Sequence, residues 1–361
     1  MVNTAENTKK LYMRYIARKM LFMAASLTIL SFLVLLSVSM GTSIESLKDL
    51  QSLKEVFTAI VGRFFLQVET NPFMEKVIWH YRLPRAMMGV VAGAGLAVSG
   101  AIMQGVTRNP LVSPFTIGLS SAAAFGAAIA IIFGAGFTGA GAYLIMINAF
   151  VFALTCAVIV FGLAKLRGAS PETVVLAGIA LTYFFGSATA VLHYFASEEQ
   201  LSAMVRWTFG TLSGATWSEI GIITVVLATT FPVMMKYAWD LNAAFAGGDE
   251  TAKSLGINIS RVRTVSLILS ALVTATIISF TGIIGFVGLV APHISRFLIG
   301  GDHRFLIPIS CIIGSILVVG GDVVGRMISP PIMFPIGIVI SFVGVPMFLY
   351  LMMTRRRRYW G

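Results

Sequence analysis

Charge is what this sequence has least of. Only 11% of its 361 residues are Asp, Glu, Lys or Arg, where a soluble domain carries about a quarter, so polar groups cannot cover a water-facing surface. Acidic residues are the scarcer sign, 15 against 26 Lys and Arg. Cysteine is nearly absent. Cys156 and Cys311 both fall in apolar runs and read as packing residues that say nothing about redox compartment. The four histidines, His80, His193, His293 and His303, are scattered without metal-ligand spacing, so no metal or other cofactor is expected. No glycine is followed by lysine, which removes the usual phosphate-cradling loop and ATP hydrolysis by that route. Gly134, Gly136 and Gly139 match a dinucleotide pattern but lie in a turn between apolar runs with no strand before them, a chance match. No Ser, Cys or His arrangement points to a nucleophile, and a lipid-modifying enzyme has no catalytic cluster to rest on.

What is present is apolar surface. Hydrophobic residues make up 57% of the chain, mean hydropathy is +0.89, and glycine occurs 35 times, as expected where helices approach closely in lipid. The sequence predicts an all-α, polytopic membrane protein of about ten transmembrane helices. Spans are expected at about 20–40, 84–105, 114–134, 141–164, 172–194, 216–236, 264–283, 284–299, 305–325 and 334–353. The pair within 264–299 is the tightest, and Pro292, His293 and Arg296 interrupt it, so a short or broken second helix is expected there. The run Leu21–Met40 is long enough to stay as the first membrane helix.

Lys9, Lys10, Arg14, Arg18 and Lys19 form a basic tail over 1–19, and Arg355–Arg358 form another over 355–361. An even number of spans puts both on one side, which the positive-inside tendency makes the cytoplasm of a multi-pass cell-membrane protein. The membrane domain then covers 20–354. The five tryptophans fall near span ends, where an interfacial belt places them. Net charge therefore reports topology and a lipid bilayer partner, and no nucleic acid is implied.

Residues 41–83 form the longest outer segment. Thr42 and Glu45 have capping-box spacing, and Ile44, Leu47, Leu50, Leu53, Phe57, Ile60 and Phe64 recur every three or four residues. They predict an amphipathic helix on the outer surface or packed on the other spans. Ser99-Gly100-Ala101-Ile102 with Pro110 matches Thr281-Gly282-Ile283-Ile284 with Pro292. Five spans separate the copies, so an inverted repeat is expected. Gly89/Gly93 and Gly321/Gly325 have helix-packing spacing. In the loop at about 237–263, Gly248 can end one helical element, Asp249 cap the next, and Gly256 stop it. That turn would offer Ala252 and Leu255 on one face.

These pieces resemble the permease subunits of ABC importers for ferric siderophores, haem and vitamin B12, the FecCD family. The resemblance rests on Arg82-Leu83-Pro84-Arg85, Gln104 through Arg108-Asn109-Pro110-Leu111, Gly248-Asp249-x-x-Ala252-x-x-Leu255-Gly256, Gly285-Phe286-Val287-Gly288-Leu289-x-x-Pro292-His293-x-x-Arg296, and Pro335-Ile336-Gly337, all in the family's order. It implies a type II importer permease architecture and a homodimer, the second permease copy completing the channel. Two cytoplasmic ATP-binding subunits and an extracytoplasmic substrate-binding protein would complete the complex, with cargo released into the cytoplasm. It further implies that Gly248, Asp249, Ala252, Leu255 and Gly256 couple to the ATPase, and that Arg82, Arg85 and Arg326 dock the binding protein. The competing reading is an ion-coupled secondary transporter, which needs buried ionisable groups along a path. Its candidates are Asp322, Asn148, His193 and His293, although Asp322 with Arg326 also has the spacing of a helical ion pair.

Overall fold

Each apolar run folds as a helix, which satisfies its own backbone polar groups where water cannot. The computed structural model describes residues 2–40, 72–134, 139–166, 171–328 and 332–354. Among them are thirteen α-helices: α1 Val2–Ser39, α2 Pro72–Val77, α3 Leu83–Thr107, α4 Leu119–Phe133, α5 Gly139–Leu166, α6 Pro171–Phe195, α7 Glu198–Thr208, α8 Trp217–Lys236, α9 Ala238–Ser254, α10 Ile259–Thr281, α11 Val287–Ile299, α12 His303–Met327 and α13 Ile336–Thr354. A π-helical turn, Ile78–Arg82, fuses α2 to α3.

Every expected span coincides with a helix: α1, α3, α4, α5, α6, α8, α10, α11, α12 and α13. Among the described residues, seven segments are long and apolar enough to cross a bilayer, whereas α4, α11 and the apolar stretch of α13 are shorter. The 13-residue α11 rises only about 20 Å, short of the roughly 30 Å hydrocarbon core. It is the short second helix expected there, and the irregular backbone lies upstream of Pro292, not at it. Gly282–Phe286 carry the non-helical backbone, and α11 runs through Pro292, His293 and Arg296. The basic tail expected over 1–19 is helical from Val2 onward and continuous with α1. The amphipathic pattern over 41–64 and the Arg355–Arg358 tail lie outside the described residues.

The centre of the bundle is α3, packed against α12, α10, α11 and α8. Its small residues explain the position. A Cβ on Gly93 would stand 2.4 Å from Gly314 O, and Ser315 Oγ donates to Val90 O (2.7 Å), so α3 and α12 meet backbone to backbone. Gly321 and Gly325 of α12 in turn face Ile340 and Phe334 beside α13. The closest approach joins Gly100 of α3 to Gly288 of α11, where an added Cβ would lie 1.7 Å from Gly288 O. Pro292 has no N–H to give the carbonyl four residues back, so Gly288 O is free to face that backbone. A second group, α4, α5 and α6, packs through Phe125, Phe152 and Phe185, whose ring centroids lie 5.2 to 6.4 Å apart.

The order of elements recurs after each copy of the repeated motif. A long buried helix, an irregular stretch, a short helix and a long helix follow one another in α3–α5 and again in α10–α12. Both short helices start behind a left-handed residue, Gly118 (φ 86°) and Phe286 (φ 64°). Gly95 faces Val273 and Ile277 while Arg263 donates to Val106 O (3.4 Å), so α3 and α10 run antiparallel. The matched residues are not equivalent one by one. Gly100 lies inside α3, and Gly282 lies just past the end of α10.

Candidate functional site

The 25 residues of α3 rise about 37 Å, enough to carry one side chain on each face of a bilayer. Arg85 stands in its first turn and Arg108 at its C-cap. Polar side chains from other helices gather at both places.

At the Arg85 end, one carboxylate is shared by two arginines. Arg85 chelates Asp322 through Nε (3.0 Å) and Nη2 (2.8 Å) to Oδ1, and its Nη1 donates to Ser213 Oγ (3.0 Å). Arg326 Nη2 lies 3.1 Å from Asp322 Oδ2. Arg326 Nε donates to Asp322 O one turn back (3.4 Å), and its other bonds reach the end of α1, from Nη1 to Ser37 O and Met40 O and from Nη2 to Ser37 Oγ (3.1, 2.9 and 2.7 Å). Arg82 Nη1 donates to Val38 O and Ser39 O. Asp322 and Arg326 are 5% and 6% exposed. The three arginines singled out in the sequence therefore do converge, on an open cavity of about 550 Å³ that also takes in Ser213 and Thr216. Much of their charge and hydrogen bonding is already engaged within the chain, which sequence alone did not reveal.

At the Arg108 end, α9 is kinked at Gly248 (φ 77°, ψ 179°), a backbone region open to glycine alone. Its last turn closes with Ile257 N donating to Ala252 O (3.0 Å) and Gly256 N to Lys253 O (2.9 Å). This is a Schellman motif, with Gly256 left-handed at φ 79°. The closure folds Ile257 back over Ala252, which is fully buried with Ala244 and Ile259, while Leu255 is 66% exposed. The two residues do not share an exposed face, and only Leu255 is offered outward. The Asp249 carboxylate reaches Arg263 Nη2 (2.8 Å) and Arg108 Nη2 (3.2 Å) and makes no capping bond among the described contacts.

A second cluster here went unnoticed in the sequence because its members are far apart in the chain. Asp302 receives Arg304 Nη2 (2.6 Å), Asn242 Nδ2 (2.8 Å) and Lys19 Nζ (3.7 Å). Burial opposes its charge, but the Arg304 and Asn242 bonds outweigh that and hold its carboxyl down at about 2. Asn242 Oδ1 accepts from His303 N (2.8 Å), and the Arg304 guanidinium lies 4.0 Å over the Trp239 ring.

The remaining motif residues shape the backbone between these ends. Asn109 Oδ1 accepts from Leu111 N (2.9 Å) and turns the chain at Pro110. Gln104 Oε1 accepts from Arg296 Nη2 (3.1 Å), so two distant motif positions meet inside the bundle. Pro335 O accepts from Ile338 N and Val339 N (3.1 and 3.3 Å), and Gly337 N donates to Phe209 O (3.1 Å). Gly285 and Gly337 line an apolar cleft of about 530 Å³ with Phe209, Ile283, Ser341 and Phe342. The polar candidates for a carrier path do not assemble: Asp322 is bracketed by arginines, and Asn148 and His293 bond to the carbonyls one turn back.

Known proteins resemble this chain in sequence and in fold. An ABC transporter permease protein of Methanocaldococcus jannaschii is 48% identical over 324 residues, covering 85% of this chain and 92% of its own. The hemin transport system permease of Yersinia pestis is 35% identical, covering 82% and 89%. A solved metal-chelate type ABC transporter in an inward-facing conformation superposes with a TM-score of 0.78 at 28% identity, over 92% of this chain and 99% of that one. Relatives of this kind are transport subunits, with ATP-binding and substrate-binding partners implied, and not enzymes. The FecCD transport family model matches residues 27–354, and this chain is a member of that family.

Proposed function

We propose that this chain carries an iron chelate, haem or cobalamin-type cargo across the cell membrane as one of two permease copies in an ABC importer. The observation that carries the reading is the placement of an arginine-lined cavity and an exposed, glycine-bounded turn at opposite ends of α3. In this reading the cavity faces the substrate-binding protein, and Leu255 seats in a cleft of the ATP-binding subunit. Arg82, Arg85 and Arg326 give the cavity its positive field, which favours an acidic docking face. Two copies would oppose their apolar clefts across the cargo path. Cargo affinity then resides mainly in the binding protein, in keeping with a cleft lined chiefly by apolar residues.

Reconstitution tests it. Uptake into vesicles holding this chain, its ATP-binding partner and binding protein should require ATP and stop when the ATP-binding partner is omitted. Uptake that persists under an ion gradient alone would establish the secondary carrier instead.

The basic tails favour a cytoplasmic position for both termini. Cysteines introduced at positions 5 and 250 should resist an impermeant thiol reagent in intact cells, and one at position 50 should react. Labelling of position 250 from outside would reverse the orientation.

A further inference from the structure

Two carboxylates grip the kinked helix α9, one on each side of its hinge. Before the hinge, Asn242 binds Asp302, which also takes Arg304 of α12 and Lys19 of α1. Ala238 and Leu241 on the same half are buried in the main core. That half is anchored. After the hinge, the turn Asp249–Ser254 ends in the exposed Leu255, and Ala252 is buried in a small cluster with Ala244, Ile257 and Ile259. Among the described contacts, its polar links to the long helices pass through Asp249, to Arg263 of α10 and to Arg108 at the C-cap of α3.

Those links are stiff at their far ends. Arg263 is 12% exposed at its side chain, and its Nε also donates to Val106 O. Arg108 is itself left-handed (φ 50°), its N–H held by Gln104 O and Gly105 O. A force on Leu255 turns the second half about Gly248 while Asp302 holds the first. The Asp249 carboxylate then pulls on α3 and α10 together. These are the antiparallel pair at the core, and α3 carries Arg85 at its other end.

We propose that Arg263 and Arg108 are positioning residues of the transport cycle, passing the movement of the Asp249–Ser254 turn through Asp249 into α3 and α10. This rests on the importer reading above and adds the path by which ATP hydrolysis would reach the membrane helices. Charge-assisted arginine–carboxylate bonds suit the task because they are stronger than neutral ones, and two of them converge on Oδ1 of Asp249.

The test uses the full transporter, with ATP-binding subunits and binding protein, in vesicles, comparing the parent with Arg263→Gln, Arg263→Lys and Arg108→Gln. A Leu255→Cys cross-link to the ATP-binding subunit is followed in each background. Arg263→Gln should keep the cross-link and hydrolyse ATP at no less than the parental rate. Its cargo moved per ATP should fall at least fivefold. Arg263→Lys, which keeps the charge, should retain at least half of the parental ratio. Arg108→Gln, at a side chain 36% exposed, should shift the ratio in the same direction by a smaller factor, and it carries the test if Arg263→Gln does not fold. Equal loss of uptake and hydrolysis, or an unchanged ratio in both glutamine variants, would overturn the proposal. Failure of the parental cross-link would instead sink the ATPase seat on which the proposal stands.

Discussion

Alanine at Gly100 is expected to leave little folded protein, the largest loss from any single added methyl group in this bundle. Inside a free helix the change from glycine to alanine gains about 0.8–1 kcal/mol. Against it stands an atom placed 1.7 Å from Gly288 O, a backbone atom that cannot rotate away. Overpacking in a tight core costs about 1–3 kcal/mol when side chains can give, and here α3 and α11 must separate, so the loss exceeds the gain. The separation also breaks the contact that occupies the carbonyl freed by Pro292. Gly162 of α5 and Gly186 of α6 are the controls, because nothing lies within 4 Å of a Cβ at either. Alanine there should be neutral or slightly stabilising. Melting of the detergent-purified variants compares the three directly. A Gly100→Ala protein that melts with the parent would mean that α3 and α11 are not in contact.

Element existence was legible in the sequence and the details of close approach were not. Ten apolar runs gave ten helices because backbone in lipid has few other solutions. Gly248 and Gly256 announced a kink and a stop because their left-handed backbone is a local property, and local properties survive in a single sequence. The shared face of Ala252 and Leu255 failed for a reason visible only in three dimensions. The hydrogen bonds that close the turn at Gly256 also bring Ile257 over Ala252. The Asp302 cluster was missed for the same kind of reason, since Lys19, Asn242 and Arg304 come from three elements remote in the chain. Arginines at the ends of spans were the hardest to read. Their spacing could show where they stand and that Asp322 suits Arg326, not that Arg85 shares that carboxylate or that the last carbonyls of α1 receive Arg82 and Arg326.

Replacing Asp322 with alanine should destabilise the protein by about 3–5 kcal/mol, the usual result of removing one partner from a buried ion pair. Two guanidinium groups, on Arg85 and Arg326, would then face each other without the carboxylate that now lies between them. Glutamate at Arg85 belongs to the same class, because it would set a carboxylate against Asp322. Such a variant is expected to lose folded protein before it can report on binding-protein docking. Arg82 is the better probe of docking, since its bonds go to two backbone carbonyls and it takes no part in the Asp322 pairs. Arg82→Gln should melt near the parent yet weaken binding-protein association at low salt, with less difference from the parent as salt screens the interface. The triple variant Arg85→Met, Asp322→Leu, Arg326→Met separates structure from docking. Replacing all members of a buried charged group with apolar residues often restores stability, and part of the Asp322→Ala loss should return. Recovery should be incomplete, because Ser37 O and Met40 O lose the donor that Arg326 supplies. If Asp322→Ala melts with the parent, the arginines at this end are not held by that carboxylate.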